Sequence, residues 1–278
     1  MLNNQVFLDG KAEAEKLINS LKQQIAQKKM NLSLAVILVG NNPASKVYVN
    51  IKEKRAKELG VEFKKYILPA TVSENKILTL INKLNNNKKI TGILLQLPLP
   101  KKFKTNKIIQ AIDIKKDVDG LCPSLLTKER GGVRLLIISP TIQAISHLIK
   151  LSKIRLAGKK AVILCHSQEF AQSLKQELCR QKISVDVLLK PPIKTHNSLS
   201  VIHYSIVIIA LGKKYFLKSK MIKKNAVIID VGINRVDKKI FGDVDPRCFK
   251  KTKYISPVPG GVGPLTVAYL FKNLIKLK

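Results

Sequence analysis

Tyr48 and Lys52 stand four residues apart in VGNNPASKVYVNIK, so on a helix their side chains share one face. A phenol beside an ammonium, both withdrawn from water, could lower the lysine pKa and create an acid/base that works near neutral pH. The competing reading is an exposed pair on a lysine-rich helix, since Lys54 and Lys57 are close by. Gln96 ends the otherwise apolar run Gly92-Ile93-Leu94-Leu95. Open parallel sheets hold ligands outside the carboxyl ends of their strands, which would aim this amide at a crevice. It could equally tie down the Leu-Pro-Leu-Pro loop that follows. Asp117 and Asp119 flank Val118 before Gly120, which taken alone is turn chemistry. The stretch from Pro257 to Pro264, PVPGGVGP, could bring backbone amides close to a ligand with a helix N-terminus behind it, or be an elaborate turn. It is not a P-loop, because no Gly-Lys-Ser/Thr follows.

These residues hang on an alternation of apolar β-type runs and helical stretches, the pattern of parallel sheets with crossover helices. LSLAVILVG (32–40) reads as a buried strand. Asn42-Pro43 then supplies an N-cap and a first-turn proline, and the helix runs to about Gly60, a good C′ residue. EFKKYIL is a second strand, ENKILTLINKLNN a helix and ITGILLQ (90–96) a third strand, followed by the helix-like NKIIQAI and the turn KKDVDG. A second series begins near residue 160: AVILC (161–165), VDVLL (185–189), SIVIIALG (205–212) and NAVIIDVG (225–232) are buried parallel strands. QEFAQSLKQELCRQK is the crossover helix between the first two, PLTVAYLFKNLIKLK is a terminal helix, and residues 124–157 include a connecting helix. The expected fold is α/β, two lobes with a cleft between them. Residues 1–123, joined by the terminal helix 264–278, form one domain, and residues 124–263 form the other.

Composition narrows the function classes. No apolar run approaches the ~20 residues needed to span a bilayer, and the first residues lack a signal-type apolar core. Cys122, Cys165, Cys179 and Cys248 lie far apart with no metal-like spacing, which reads as reduced thiols in a cytoplasm. The formal net charge of +33 suggests nucleic acid. Against that, lysine supplies 44 of the 51 basic residues and arginine 7; the lysines run along the whole chain, and aromatics are only 5%. His147, His166, His196 and His203 have no visible partner at suitable spacing, and no role is assigned to them.

The ordered series VGNNPASKVYVNIK, GILLQLPLP, KDVDG, DVGINR, GDV and PVPGGVGPLTVA resembles the bifunctional methylenetetrahydrofolate dehydrogenase/methenyltetrahydrofolate cyclohydrolase (FolD) proteins, from the first residues to the terminal helix. The resemblance implies a homodimeric cytoplasmic enzyme with an amino-terminal folate domain and a Rossmann-type domain for NADP. Such an enzyme oxidises 5,10-methylenetetrahydrofolate to the methenyl form and hydrolyses that to 10-formyltetrahydrofolate. It further implies that Lys52 is the acid/base that helps activate water, that Tyr48 stacks near the folate, and that Gln96 orients Lys52. Asp119 would hydrogen-bond the pterin, and Leu95, Leu97, Pro259, Gly260, Gly261, Val262 and Gly263 would line the folate pocket. On the nucleotide side it leaves Ser167 and Ile233.

One segment departs from the family. Its first Rossmann turn reads approximately G-x-S-x-x-V-G-x-P, whereas here the residues from Cys165 to Ser173 are CHSQEFAQS, and Ser167 alone survives. Cys165 and Ala171 stand where glycines belong, so each Cβ is expected to intrude on the pyrophosphate, and Glu169 adds negative charge at a helix N-terminus. The family's C-T-P-x-G loop appears as Ile138-Ser139-Pro140-Thr141-Ile142, and Lys190-Pro191-Pro192 replaces the polar stretch near the 2′-phosphate, with Lys190 still able to supply charge. Three functions therefore stand: the bifunctional enzyme; a cyclohydrolase or folate-binding protein that has lost dinucleotide binding; and a non-enzymatic basic protein that binds nucleic acid.

Overall fold

A computed structural model describes residues 6–122, 137–190, 201–237, 239–252 and 254–278. In chain order the elements are β1 (Val6–Phe7), α1 (Gly10–Gln27), β2 (Ser33–Val39), α2 (Pro43–Leu59), β3 (Glu62–Leu68), α3 (Glu74–Asn86), β4 (Gly92–Gln96) and α4 (Thr105–Gln110). Then follow α5 (Pro140–Leu151), β5 (Lys160–Cys165), α6 (Gln168–Arg180), β6 (Ser184–Leu189), β7 (Ile206–Ala210), β8 (Val227–Asp230), β9 (Asn234–Val236), β10 (Lys239–Phe241), β11 (Tyr254–Ile255) and α7 (Val262–Lys276). The chain forms two compact units, one of residues 15–140 and 267–278, the other of residues 1–14 and 141–266.

The first unit is built on a three-stranded parallel sheet in the order β3-β2-β4. All seven residues of β2 are buried, as a continuous apolar run in a central strand requires. β3 keeps partly exposed residues and lies at the edge. α2 starts where Asn42 caps it, its side chain accepting from the amides of Ala44 (2.9 Å) and Ser45 (3.1 Å). It ends at Gly60, whose φ of 70° is the left-handed conformation expected of a C-terminal glycine. α3 buries Ile77, Ile81 and Leu84 against the sheet residues Ile37, Ile93 and Leu95.

Beyond β4 the chain returns as residues 116–118, with the Ile93 amide donating to the Lys116 carbonyl at 2.7 Å. The approach is close because position 92 has no side chain. A Cβ there would lie 2.3 Å from Val118 Cγ1 and 2.7 Å from Leu274 Cδ1. Gly92→Ala is therefore expected to cost about 1–3 kcal/mol in a urea titration and to displace the turn that begins at Asp117. A loss of stability below ~0.5 kcal/mol would show that this packing is slack.

The second unit carries a six-stranded parallel sheet in the order β1-β11-β8-β7-β5-β6. The strand at the amino terminus joins this sheet, pairing Val6 with Tyr254 and Phe7 with Ile255. From β5 the chain crosses to β6 on one side and then to β7 on the other, so the topological switch lies beside β5 and β7. Val162, Leu164, Val207, Ile209 and Ile228 form the core under one face. β9 and β10 make a separate antiparallel hairpin. Its neighbourhood is tied by two buried carboxylates. Asp243 accepts from the amides of Leu211, Gly212 and Lys213 and from Asn234 Nδ2, and Asp230 accepts from those of Gly232, Asp243 and Val244. Each carboxylate rests against a glycine of the other's motif: a Cβ on Gly232 would strike Asp243, and one on Gly242 would strike Asp230.

Candidate active site

Lys52 lies in the third turn of α2, one turn beyond Tyr48, and both side chains are half-buried. Gln96 is the last residue of β4 and is buried, at 9% exposure. The Lys52 Nζ donates to Gln96 Oε1 at 2.8 Å, and Gln96 Nε2 donates to the Leu97 carbonyl at 2.7 Å. The second bond decides the orientation of the amide. With Nε2 committed to a carbonyl, the oxygen must face the lysine. The strand-end amide thus does both things its sequence position allowed, tying the proline loop and meeting Lys52. Leu95, buried, and Leu97, half-buried, flank it.

Burial lowers the Lys52 pKa from its ordinary value, and the charge of Asp119 opposes that shift. Asp119 is itself pushed up to about 6, chiefly by burial, with Lys52 pulling it down and Asp117 adding repulsion. The exposed-pair reading of Tyr48 and Lys52 is accordingly set aside. What positions Asp119 is its neighbour. Asp117, 2% exposed, accepts from the amides of Asp119 (3.0 Å), Gly120 (3.0 Å) and Cys122 (2.9 Å), folding the turn around its carboxylate. Asn273 of α7 adds a bond from Nδ2 to the Val118 carbonyl at 2.9 Å. For Asp117 this is the turn chemistry that its sequence position suggests. The result is an amine of lowered basicity, held by a fixed amide, beside a carboxylate of raised basicity. The two shifts bring the basicities of amine and carboxylate closer together, which is the direction proton transfer between such groups requires.

The stretch Pro259–Gly263 belongs to the other unit, where it leads into α7. Its backbone packs against the start of α1: Lys11 N donates to Gly260 O at 2.8 Å, and a Cβ on Gly10 would lie 1.8 Å from Gly261 O. Gly260 has φ of 112°, closed to ordinary side chains, so this is a built loop with a conformational need for glycine.

A dinucleotide would be expected outside the carboxyl ends of β5 and β7, where Cys165 and Ala210 are register partners. Here one sequence expectation is corrected. Cys165 and Ala171 are each 1% exposed, so their side chains pack into the sheet and helix core and do not intrude on the crevice. Gly212, at the end of β7, has open space around it. The turn itself is His166-Ser167, and Ser167 caps α6 by accepting from the Phe170 amide at 3.1 Å. Ile233 is 47% exposed and available to a ligand. Among the described residues of this turn, Glu169 places a carboxylate at the helix end, its Oε2 accepting from Ser167 Oγ at 2.9 Å. Pro191 and Pro192 lie outside the described residues, as does His196. His147 is not isolated as its spacing suggested: its Nε2 lies 3.1 Å from Glu13 Oε2.

Comparison with known proteins matches this geometry to one family over almost the whole chain. Residues 8–119 match the tetrahydrofolate dehydrogenase/cyclohydrolase catalytic domain, and residues 139–278 match the NAD(P)-binding domain of the same enzymes. The bifunctional protein FolD of a Sulfurihydrogenibium species is 40% identical, covering 98% of this chain and 97% of the relative. That of the Wolbachia of Brugia malayi is 38% identical, covering 97% and 94%. Among solved structures, the bifunctional FolD of Campylobacter jejuni superposes with a TM-score of 0.88 at 38% identity, covering 98% of each chain. The Trypanosoma brucei methylenetetrahydrofolate dehydrogenase-cyclohydrolase, complexed with NADP and an inhibitor, gives 0.89 at 28% identity, covering 98% of this chain and 97% of that one.

Proposed function

The chain belongs to the tetrahydrofolate dehydrogenase/cyclohydrolase family, and from that premise we propose how its residues divide the work. The enzyme oxidises 5,10-methylenetetrahydrofolate to 5,10-methenyltetrahydrofolate with NADP and hydrolyses the methenyl form to 10-formyltetrahydrofolate. The observation that carries the proposal is the Lys52–Gln96 bond of 2.8 Å, because it presents a desolvated amine at a strand end where ligands bind.

The methenyl substrate is a cation, and a charged ammonium beside it would be repelled. Burial lowers the basicity of Lys52, which favours the neutral amine over the ammonium next to that cation. In that form it takes a proton from the attacking water as oxygen bonds to the bridging carbon. The resulting ammonium returns that proton to the ring nitrogen as its carbon–nitrogen bond breaks, while the remaining hydroxyl proton leaves to solvent as the carbonyl forms, giving the 10-formyl product and the one proton that hydrolysis of the cation releases. Gln96, accepting one N–H of Lys52 throughout, fixes the direction of the lone pair. Tyr48, on the same face of α2, stacks near the folate, and Leu95 and Leu97 supply apolar wall. NADP, when bound, accepts the hydride of the oxidation step. Ser167, Ile233 and the amides ending β7 are the groups on this chain that would hold it. The assembly follows from the family reading as a homodimer acting in the cytoplasm. Among the described residues, no helix is long and apolar enough to cross a membrane.

Asp119 gives the folate site a pH signature. As a carboxylate it accepts the paired N–H donors of the pterin; protonated, it loses that capacity. Its pKa is raised to about 6, so the productive form is present above pH 6 and is lost as pH falls through that value. KM for the folate substrate is expected to rise toward tenfold per pH unit below 6, with Asp119→Asn raising KM and removing the pH dependence. An unchanged profile in that variant would assign the acidic limb elsewhere. The proposal as a whole is tested by mixing purified protein with 5,10-methenyltetrahydrofolate and following loss of the methenyl absorbance. Hydrolysis well above the buffer rate is expected, and a rate equal to buffer would overturn it.

A further inference from the structure

The crossover helix α6 begins directly after β5, at the switch point of the six-stranded sheet, and its N-terminal amides carry partial positive charge toward the crevice. In this chain that end is already satisfied by an anion of its own. Glu169 lies in the first turn, and its carboxylate accepts from the Ser167 hydroxyl at 2.9 Å. Ser167 in turn accepts from the Phe170 amide at 3.1 Å, so hydroxyl, carboxylate and helix end form one closed cap. The Glu169 carboxyl is held below its usual range, first by its own backbone amide and then by the Ser167 hydroxyl. Cys165 Sγ donates to the Ser167 carbonyl at 3.3 Å, pinning the turn from beneath. Ser167 is also the one residue of this turn assigned to the dinucleotide.

We propose that Glu169 is an internal competitor for the dinucleotide's phosphate: its carboxylate stabilises the free protein by capping α6 and must swing away before NADP can occupy the same helix end. The inference rests on the reading that NADP binds at this switch point. The side chains that replace the family's glycines, Cys165 and Ala171, are buried, whereas the Glu169 carboxylate is exposed at the helix end. Swinging out is cheap for an exposed side chain. The consequence is a cofactor affinity set by charge and therefore by salt.

The experiment measures NADP binding by calorimetry and thermal unfolding without nucleotide, for wild type, Glu169→Gln and Glu177→Gln. Glu177 lies two turns further along α6, so its substitution makes the same change in net charge away from the helix end. Glu169→Gln is expected to bind NADP about five- to thirtyfold more tightly than wild type at low salt, with the gain shrinking as salt is added. It is also expected to unfold at a lower temperature when free, while Glu177→Gln shows no gain in affinity. Binding by Glu169→Gln alone, with none by wild type, supports the proposal in its strongest form. Equal affinity in wild type and Glu169→Gln would overturn it and leave the NADP reading standing. No binding by any of the three would overturn both.

Discussion

Lys52→Ala is expected to slow methenyltetrahydrofolate hydrolysis by about 10²–10⁴-fold while the protein remains folded, because it removes the only proton-transfer group assigned to the attacking water. The loss belongs in kcat. Lys52 acts as the water adds, so the variant should bind the folate with little change in KM. Stability should hardly move. The side chain is half-buried and donates to Gln96, and deleting it also removes the cost of keeping an amine out of water. Unfolding midpoint and circular dichroism check the fold; a stopped absorbance assay checks turnover. Lys52→Arg separates charge from proton transfer, since a guanidinium stays protonated. It should be as inactive as the alanine variant, and wild-type turnover in either would remove Lys52 from the chemistry.

The second large effect is on stability. Asp243 is fully buried and accepts four hydrogen bonds, from the amides of Leu211 (2.6 Å), Gly212 (3.0 Å) and Lys213 (2.6 Å) and from Asn234 Nδ2 (2.8 Å). Asp243→Ala leaves four donors in a space that the other side chains do not fill. Each unsatisfied buried donor costs about 1–3 kcal/mol, and water entering the cavity recovers part of that. A net loss of about 4 kcal/mol or more is expected in urea unfolding, a large share of what holds a domain together. The Asp243→Asn variant keeps an oxygen and should lose less. A loss below ~1 kcal/mol for the alanine variant would mean that the loop after β7 rearranges freely and that the DVG–GDV lock is not structural.

Sequence reading reached the site by chemistry that survives in one dimension. The spacing of Tyr48 and Lys52 is a helix period, Asn42-Pro43 and Gly60 mark the ends of that helix, and Gln96 is conspicuous because its strand is otherwise apolar. What it missed depends on pairings distant in sequence. β1 and β11 have two residues each and exist only because they pair with one another and with β8. DVGINR and GDV are legible as motifs, but that each aspartate packs on the glycine of the other's segment appears only in the fold. Asp117 reads as a turn residue, and its carboxylate does shape the turn that presents Asp119, but which amides it binds is visible only in the fold. α1 is a different case. Its buried Ala14, Ile18, Leu21 and Ile25 follow a helical stripe that the sequence displays. At the nucleotide turn, counting missing glycines pointed to steric damage; the burial of Cys165 and Ala171 shifts the weight to charge.

The most direct test of the account follows both reactions in one vessel, with purified protein, 5,10-methylenetetrahydrofolate and NADP at moderate salt. The account predicts NADPH formed in step with substrate consumed and 10-formyltetrahydrofolate as the end product. With Lys52→Ala it predicts NADPH formation with the methenyl absorbance accumulating. Absence of NADPH formation, with methenyltetrahydrofolate decaying no faster than in buffer, would contradict it.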